Sequence, residues 1–281
     1  MVNRDVTTGI PTAHGVRCAS GVALVVLGGT ALLFFHPVYR SLGPQAVLWI
    51  YDLAVVLSAL VGTGLSLALW RSFSRGEASR TIWAYLTAGL LLWALGEAIW
   101  TADQLLLAER LPQPSAADAA WIFGYVPVTL GLRLRYRSFR IAPQRAWHIP
   151  LLGSVAFAVG LVAVTLVLPT IRQSANSRWM EQAVNILYPL GDLLVAYWAI
   201  LIVSVLAGGA LFSPWRFIAA GCLCVALSDL MYAYAVRLDM YQVGPATGVN
   251  LATFMINLLY VAAYLSLALG LYVQARLQRA L

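Results

Sequence analysis

Lysine is missing altogether: all 18 basic residues of this 281-residue chain are arginines. That absence excludes a cofactor held as a Schiff base, which needs an amine side chain. Charge of either sign is scarce, at 10% of residues against 61% hydrophobic. A soluble domain carries roughly 25% charged residues. Most side chains here therefore do not face water, and the apolar runs leave no room for a soluble domain. Histidine is limited to His14, His36 and His148. His36 and His148 fall at opposite edges of apolar runs, so they cannot pair as axial haem ligands. Single-histidine ligation of a pigment at His36 has no further support, and no cofactor is assigned. Cysteine is limited to Cys18, Cys222 and Cys224. On a helix the last two would point about 200° apart, so they cannot clamp one metal. All three serve as small apolar residues, and no metal site is expected.

What is present is a series of long apolar runs. A helix crossing the hydrocarbon core needs about 20 mostly apolar residues. Candidate spans are 17–36, 46–70, 81–107, 118–136, 148–169, 182–208, 214–237 and 248–275. The fourth is the weakest, because it holds Pro127 and ends in Arg133 and Arg135. The first starts near Val16 and lacks a small-residue cleavage site, so it is expected to stay as a helix. The chain is expected to be an all-α integral membrane protein of about eight transmembrane helices, forming a single membrane domain over residues 1–281.

Arginine placement orients these spans. With the N-terminus inside, only Arg40, Arg110, Arg172, Arg178 and Arg237 fall outside, and the other thirteen fall inside. This is the positive-inside pattern, with both termini cytoplasmic and the protein in the inner (plasma) membrane. The net charge of +7 is accounted for by the same pattern. The bilayer, not nucleic acid, is the partner it implies.

The two halves, about 16–136 and 148–275, look alike. Residues 33–53 and 166–193 each leave a helix through a proline and cross a short arginine-bearing loop. Each then enters the next helix through an Ala-Val pair, with a tyrosine and an aspartate soon after. The segments LWALGEAIWTAD and CVALSDLMYAYA each carry an acid with an aromatic three residues later, Trp100 and Tyr232. This suggests a 4+4 duplication, and an even number of spans per unit gives parallel repeats.

Acids inside spans are costly and are functional candidates by default. Asp52, Glu97, Asp192 and Asp229 qualify, two from each half, on its second and third helices. All four fall in the outer half of the bilayer, and no arginine lies at matching depth. Three arrangements are open. The carboxyls can be carried as neutral acids. They can be satisfied by nearby donors as interhelical glue. They can surround an outward-facing pocket that binds a cationic or hydrogen-bonding ligand. Aromatics share their faces: Trp93, Glu97 and Trp100 are spaced i, i+4, i+7, Tyr188 and Asp192 i, i+4, and Asp229 and Tyr232 i, i+3. Pro189 and Gly191 interrupt the sixth span beside Asp192, and interrupted spans often line sites. Ser115 and Asp118 have the spacing of a capping box that opens the fourth helix.

PQPSAADAAWIFGYVP (112–127), ILYPLGDLL (186–194) and ALSDLMYA (226–233) resemble a family of multi-span membrane input modules. These precede diguanylate cyclase, phosphodiesterase or histidine kinase domains in bacteria. Pro112, Pro114, Ser115, Ala117, Asp118, Trp121, Tyr188, Pro189, Gly191, Asp192, Asp229 and Tyr232 carry the likeness. Trp121 stands where the family has tyrosine, and Tyr125-Val126-Pro127 holds an inserted residue. The sequence ends at Leu281 without an output domain. The resemblance implies a sensory role exercised through another membrane or signalling protein.

The expectation is a non-catalytic, receptor-like module with an outward-opening pocket bounded by Asp52, Glu97, Trp100, Tyr188, Asp192, Asp229 and Tyr232. The alternative is an accessory or scaffold subunit of a larger respiratory or photosynthetic membrane complex, and a transporter is a weaker third. An intramembrane aspartyl protease is disfavoured, because its Pro-Ala-Leu motif is absent.

Overall fold

A computed structural model describes residues 13–34, 38, 41–107, 114–139, 179–241 and 250–278, with scattered positions between 153 and 168. Seven long helices are described. They are α1 (Ala13–Leu33), α2 (Pro44–Ser72), α3 (Ala78–Leu107), α4 (Ala116–Ser138), α5 (Trp179–Leu206), α6 (Phe212–Arg237) and α7 (Leu251–Leu277). No strand occurs among the described residues. Without water, a backbone must satisfy its own polar groups, and a helix does so within one segment.

The helix ends follow local chemistry. Pro44 opens α2 after Gly43, whose φ of 80° suits glycine. The capping box forms at α4: Ser115 Oγ accepts from the Asp118 N–H at 3.3 Å, and Asp118 Oδ2 accepts from the Ser115 N–H at 2.6 Å. Asn250 Oδ1 accepts from the Thr253 N–H at 2.8 Å and opens α7. Arg71, Arg135, Arg137 and Arg276 occupy last turns, where cations complement the helix dipole.

Six of the seven helices are long and apolar enough to cross a membrane. The chain is therefore a multi-pass membrane protein, with a lipid bilayer as its surroundings. The exception is α4, the weakest expected span, which carries Asp118, Arg133, Arg135 and Arg137 within 23 residues. The expected fifth span, 148–169, lies mostly outside the described residues, as do His36 and His148.

The helices close a ring. α2 packs on α3, α3 on α4, α4 on α5, α5 on α6, α6 on α7, and α7 returns to α2. α1 lies outside the ring against α7 and α2, and its Val22, Leu24 and Val25 remain exposed. Glycines set the close seams. A Cβ on Gly89 would lie 2.4 Å from Val128 Cγ2, and one on Gly124 2.4 Å from Trp93 Cδ1, so α3 and α4 approach through small residues. Gly221 and Gly270 do the same between α6 and α7, where a Cβ would lie 2.8 Å from the carbonyl oxygens of Ala263 and Pro214 respectively.

One half of the ring is filled. Trp83 and Trp215 are fully buried with ring centroids 6.2 Å apart, among Leu132, Ile202 and Leu271. The Arg135 guanidinium lies 5.5 Å from the Trp215 ring and 4.8 Å from Phe139, a cation–π seat that closes this half.

Gly89→Leu should force α3 off α4 at a cost of about 1–3 kcal/mol, the usual range for overpacking. Gly64→Leu, where a Cβ would meet nothing within 4 Å, should be near neutral. Thermal unfolding in detergent checks the pair, and equal losses would contradict the seam.

Candidate functional site

The other half of the ring holds a cavity of about 370 Å³. All six ring helices line it. α2 contributes Tyr51 and Asp52, α3 contributes Trp93, Glu97 and Trp100, and α4 contributes Asp118, Trp121 and Tyr125. α5 contributes Asn185, Tyr188 and Asp192, α6 contributes Asp229 and Tyr232, and α7 contributes Asn257, Tyr260 and Tyr264. Apart from the adjacent Tyr51 and Asp52, these positions recur at three- and four-residue steps, so each helix turns a stripe inward. The cavity sits where α2, α4, α5 and α7 begin and α3 and α6 end. Asp192 and Tyr264, deep in the lining, each lie thirteen positions from the start of their helix, or about 20 Å at 1.5 Å per residue.

Asp52, Glu97, Trp100, Tyr188, Asp192, Asp229 and Tyr232, picked out from sequence, all lie on this one cavity. Asp118, expected only as a cap, lies on it too. The cap and the cavity share this carboxylate: Oδ2 accepts from Ser115, while Oδ1 accepts from the Tyr188 hydroxyl at 2.8 Å.

Phenols from α4 and α7 serve the deeper acids. The Tyr125 hydroxyl lies 2.6 Å from Asp192 Oδ1 and 3.2 Å from Asp229 Oδ2, so one phenol joins α4 to both α5 and α6. The Tyr260 hydroxyl donates to Asp229 Oδ1. The Tyr264 hydroxyl donates to Glu97 Oε1 at 2.7 Å. These contacts run between residues 31 to 167 positions apart in sequence, which is why spacing alone could not find them. The available signal was weak: Asn257, Tyr260 and Tyr264 form a polar i, i+3, i+7 stripe on a largely apolar helix. Just beyond α6, the Tyr241 hydroxyl donates to Asn257 Oδ1 at 3.0 Å, and burial raises its pKa well above the ordinary phenol value.

Two acids are less well served. Asp192 is 2% exposed and Asp52 is 5% exposed, and the Oδ2 atom of each is buried without a hydrogen bond. Asp192 also meets the Asp229 carboxyl in a side-chain hydrogen bond, which two acids form only by sharing a proton.

An aromatic wall runs from the mouth inward. Ring centroids are 5.9 Å apart for Trp100–Trp121, 6.5 Å for Trp121–Tyr188, 6.3 Å for Tyr188–Tyr125 and 5.5 Å for Tyr125–Trp93. Pro189 and Gly191, expected to interrupt the helix, sit inside a continuous α5. Gly191 instead makes room: a Cβ there would lie 2.6 Å from the Tyr125 ring. Among the described residues no group of three His, Cys, Asp or Glu side chains converges to hold a metal ion.

In comparisons with known proteins, no family model, curated protein or solved structure matches the chain.

Tyr125→Phe keeps the ring but removes the hydroxyl that faces both aspartates. It should lower stability by about 1–3 kcal/mol, the cost of stranding a buried acceptor. Tyr85→Phe, on a residue 37% exposed, should cost little. Chemical denaturation in detergent separates them, and a neutral Tyr125→Phe would show that the contact carries no weight.

Proposed function

We infer that the protein is a receptor-like membrane module that binds a small ligand in this cavity and passes the occupancy to another membrane or signalling protein. The carrying observation is that a stripe from each ring helix meets on this cavity, with two buried carboxyl oxygens on it that no N–H or hydroxyl serves. Interhelical glue accounts for Glu97, Asp118 and Asp229, each of which accepts from a phenol. It does not account for the unserved oxygens of Asp52 and Asp192, since a buried acceptor without a donor costs free energy.

An outward-facing mouth is supported by charge. Arg71, Arg80, Arg135, Arg137, Arg216 and Arg276 stand at or near the helix ends opposite the cavity, whereas Arg237 stands at the cavity end. Positive-inside placement then turns the cavity outward and keeps both termini cytoplasmic. This frame includes the eight-span arrangement.

A twofold build is supported by register. Tyr125 lies ten residues after its helix cap Ser115, and Tyr260 lies ten after its cap Asn250. Both phenols reach Asp229, from α4 and from α7. Glu97 and Asp229 hold matching positions, as do Trp100 and Tyr232, and all of these residues line the cavity. The ring is thus α2–α3–α4 followed by α5–α6–α7, in keeping with a 4+4 repeat.

The test is labelling from outside. In a background without Cys18, Cys222 and Cys224, Asp52→Cys should react with a membrane-impermeant maleimide on intact cells. Ser74→Cys, in the α2–α3 turn at the far end, should react only after permeabilisation. The reverse pattern would overturn the orientation. An Asp52→Cys that stays unlabelled even after permeabilisation would overturn the open cavity.

A further inference from the structure

We propose that the ligand is a small organic cation whose ammonium group sits on Asp192 and Asp229 and whose apolar or aromatic body lies along the Trp100–Trp121–Tyr188 wall. The inference rests on the pocket reading above and adds the chemical class.

Charge sets the sign. Five acids line the cavity, Asp52, Glu97, Asp118, Asp192 and Asp229, against one arginine, Arg237. An anion would enter among carboxyl groups and be repelled. A neutral donor could fill a hydrogen bond but would gain nothing from an ionised carboxylate, whereas a cation gains both.

Hydrogen bonding selects the seat. Asp118 accepts from Ser115 N–H, Ser115 Oγ–H and Tyr188. Asp229 accepts from both Tyr125 and Tyr260, and Glu97 from Tyr264. Asp192 accepts from Tyr125 on Oδ1 and shares a proton with Asp229, while no N–H or hydroxyl donates to its buried Oδ2. Tyr125, Tyr188, Tyr260 and Tyr264 already donate to acids. A ligand can supply a donor here, and an ammonium brings both the N–H and the charge.

Lining and size choose an organic cation over a metal. No three-residue metal-ligating group is present among the described residues. The walls are tyrosine and tryptophan faces, which attract cations through the ring quadrupole. The volume of about 370 Å³ lies toward the small end of ligand pockets, which span about 300–1,000 Å³. Asp52, nearer the mouth than Asp192 and also unserved on Oδ2, gives an arriving cation a further acidic contact.

The test uses the purified full chain in lipid nanodiscs and isothermal titration calorimetry with three probes of one shape. They are 2-phenylethylammonium, neutral 2-phenylethanol and anionic 3-phenylpropionate. The ammonium should bind saturably and at least tenfold more tightly than either other probe, and tetramethylammonium should compete with it. Asp192→Asn should weaken ammonium binding at least tenfold and 2-phenylethanol binding by less, so that the preference for the ammonium falls. Competition in the unaltered protein keeps the test decisive if that variant fails to fold. Equal or preferred binding of the alcohol or the anion would overturn the cation while the pocket stood. No saturable binding of any probe would also overturn it. If Asp52→Cys then failed to label as well, the pocket reading would fall with it; successful labelling would leave an open pocket of another ligand class.

Discussion

The structure depends on how an apolar ring accommodates carboxyl groups away from water. An acid within a membrane-spanning helix is costly unless it finds donors, protons or solvent. This chain answers with phenols. Tyr125, Tyr188, Tyr260 and Tyr264 each donate across a helix seam to an acid on another helix. A phenol supplies a donor on an apolar ring, so it can stand in the same wall that excludes lipid. The contacts tie α4 to α5 and α6, α5 to α4, and α7 to both α6 and α3. The polar network is thereby a set of cross-ring ties as well as a lining.

Those ties need close helices in some places and space in others. Glycines provide the close approaches between α3 and α4 and between α6 and α7. Large aromatics and aliphatics fill the half of the ring around Trp83 and Trp215. The remaining half is lined by rings and carboxyls that meet through ring contacts and hydrogen bonds around a cavity. Gly191 links the two features. It admits the Tyr125 ring against α5 and so puts the hydroxyl beside Asp192, one turn from Tyr188 on the same face.

Much of this was legible in sequence. Apolar runs separated by arginine-bearing loops located six helices of the right length, and the costliness of intramembrane acids picked out Asp52, Glu97, Asp192 and Asp229. Helical spacing then joined Trp100, Tyr188 and Tyr232 to them, and the Ser115–Asp118 spacing announced a cap. The partners were not legible. Tyr125, Tyr260 and Tyr264 reach their acids across seams set by helix order around the ring, which spacing along one helix does not encode. Asp118 was seen in one role because its second lone-pair direction is used only once α5 brings Tyr188 alongside. Pro189-Leu190-Gly191 suggested a broken helix, whereas the glycine serves packing against Tyr125 within an unbroken one.

The central claim is that the acids bound an open, polar cavity and are not merely pins between closed helices. A crystal structure grown from a lipidic mesophase, at a resolution that shows ordered water, tests it most directly. The account requires the Oδ2 atoms of Asp52 and Asp192 to contact ordered water or a bound molecule within a cavity reached from one end of the ring. Helices closed over that space, with both carboxyl groups fully hydrogen-bonded to protein, would contradict it.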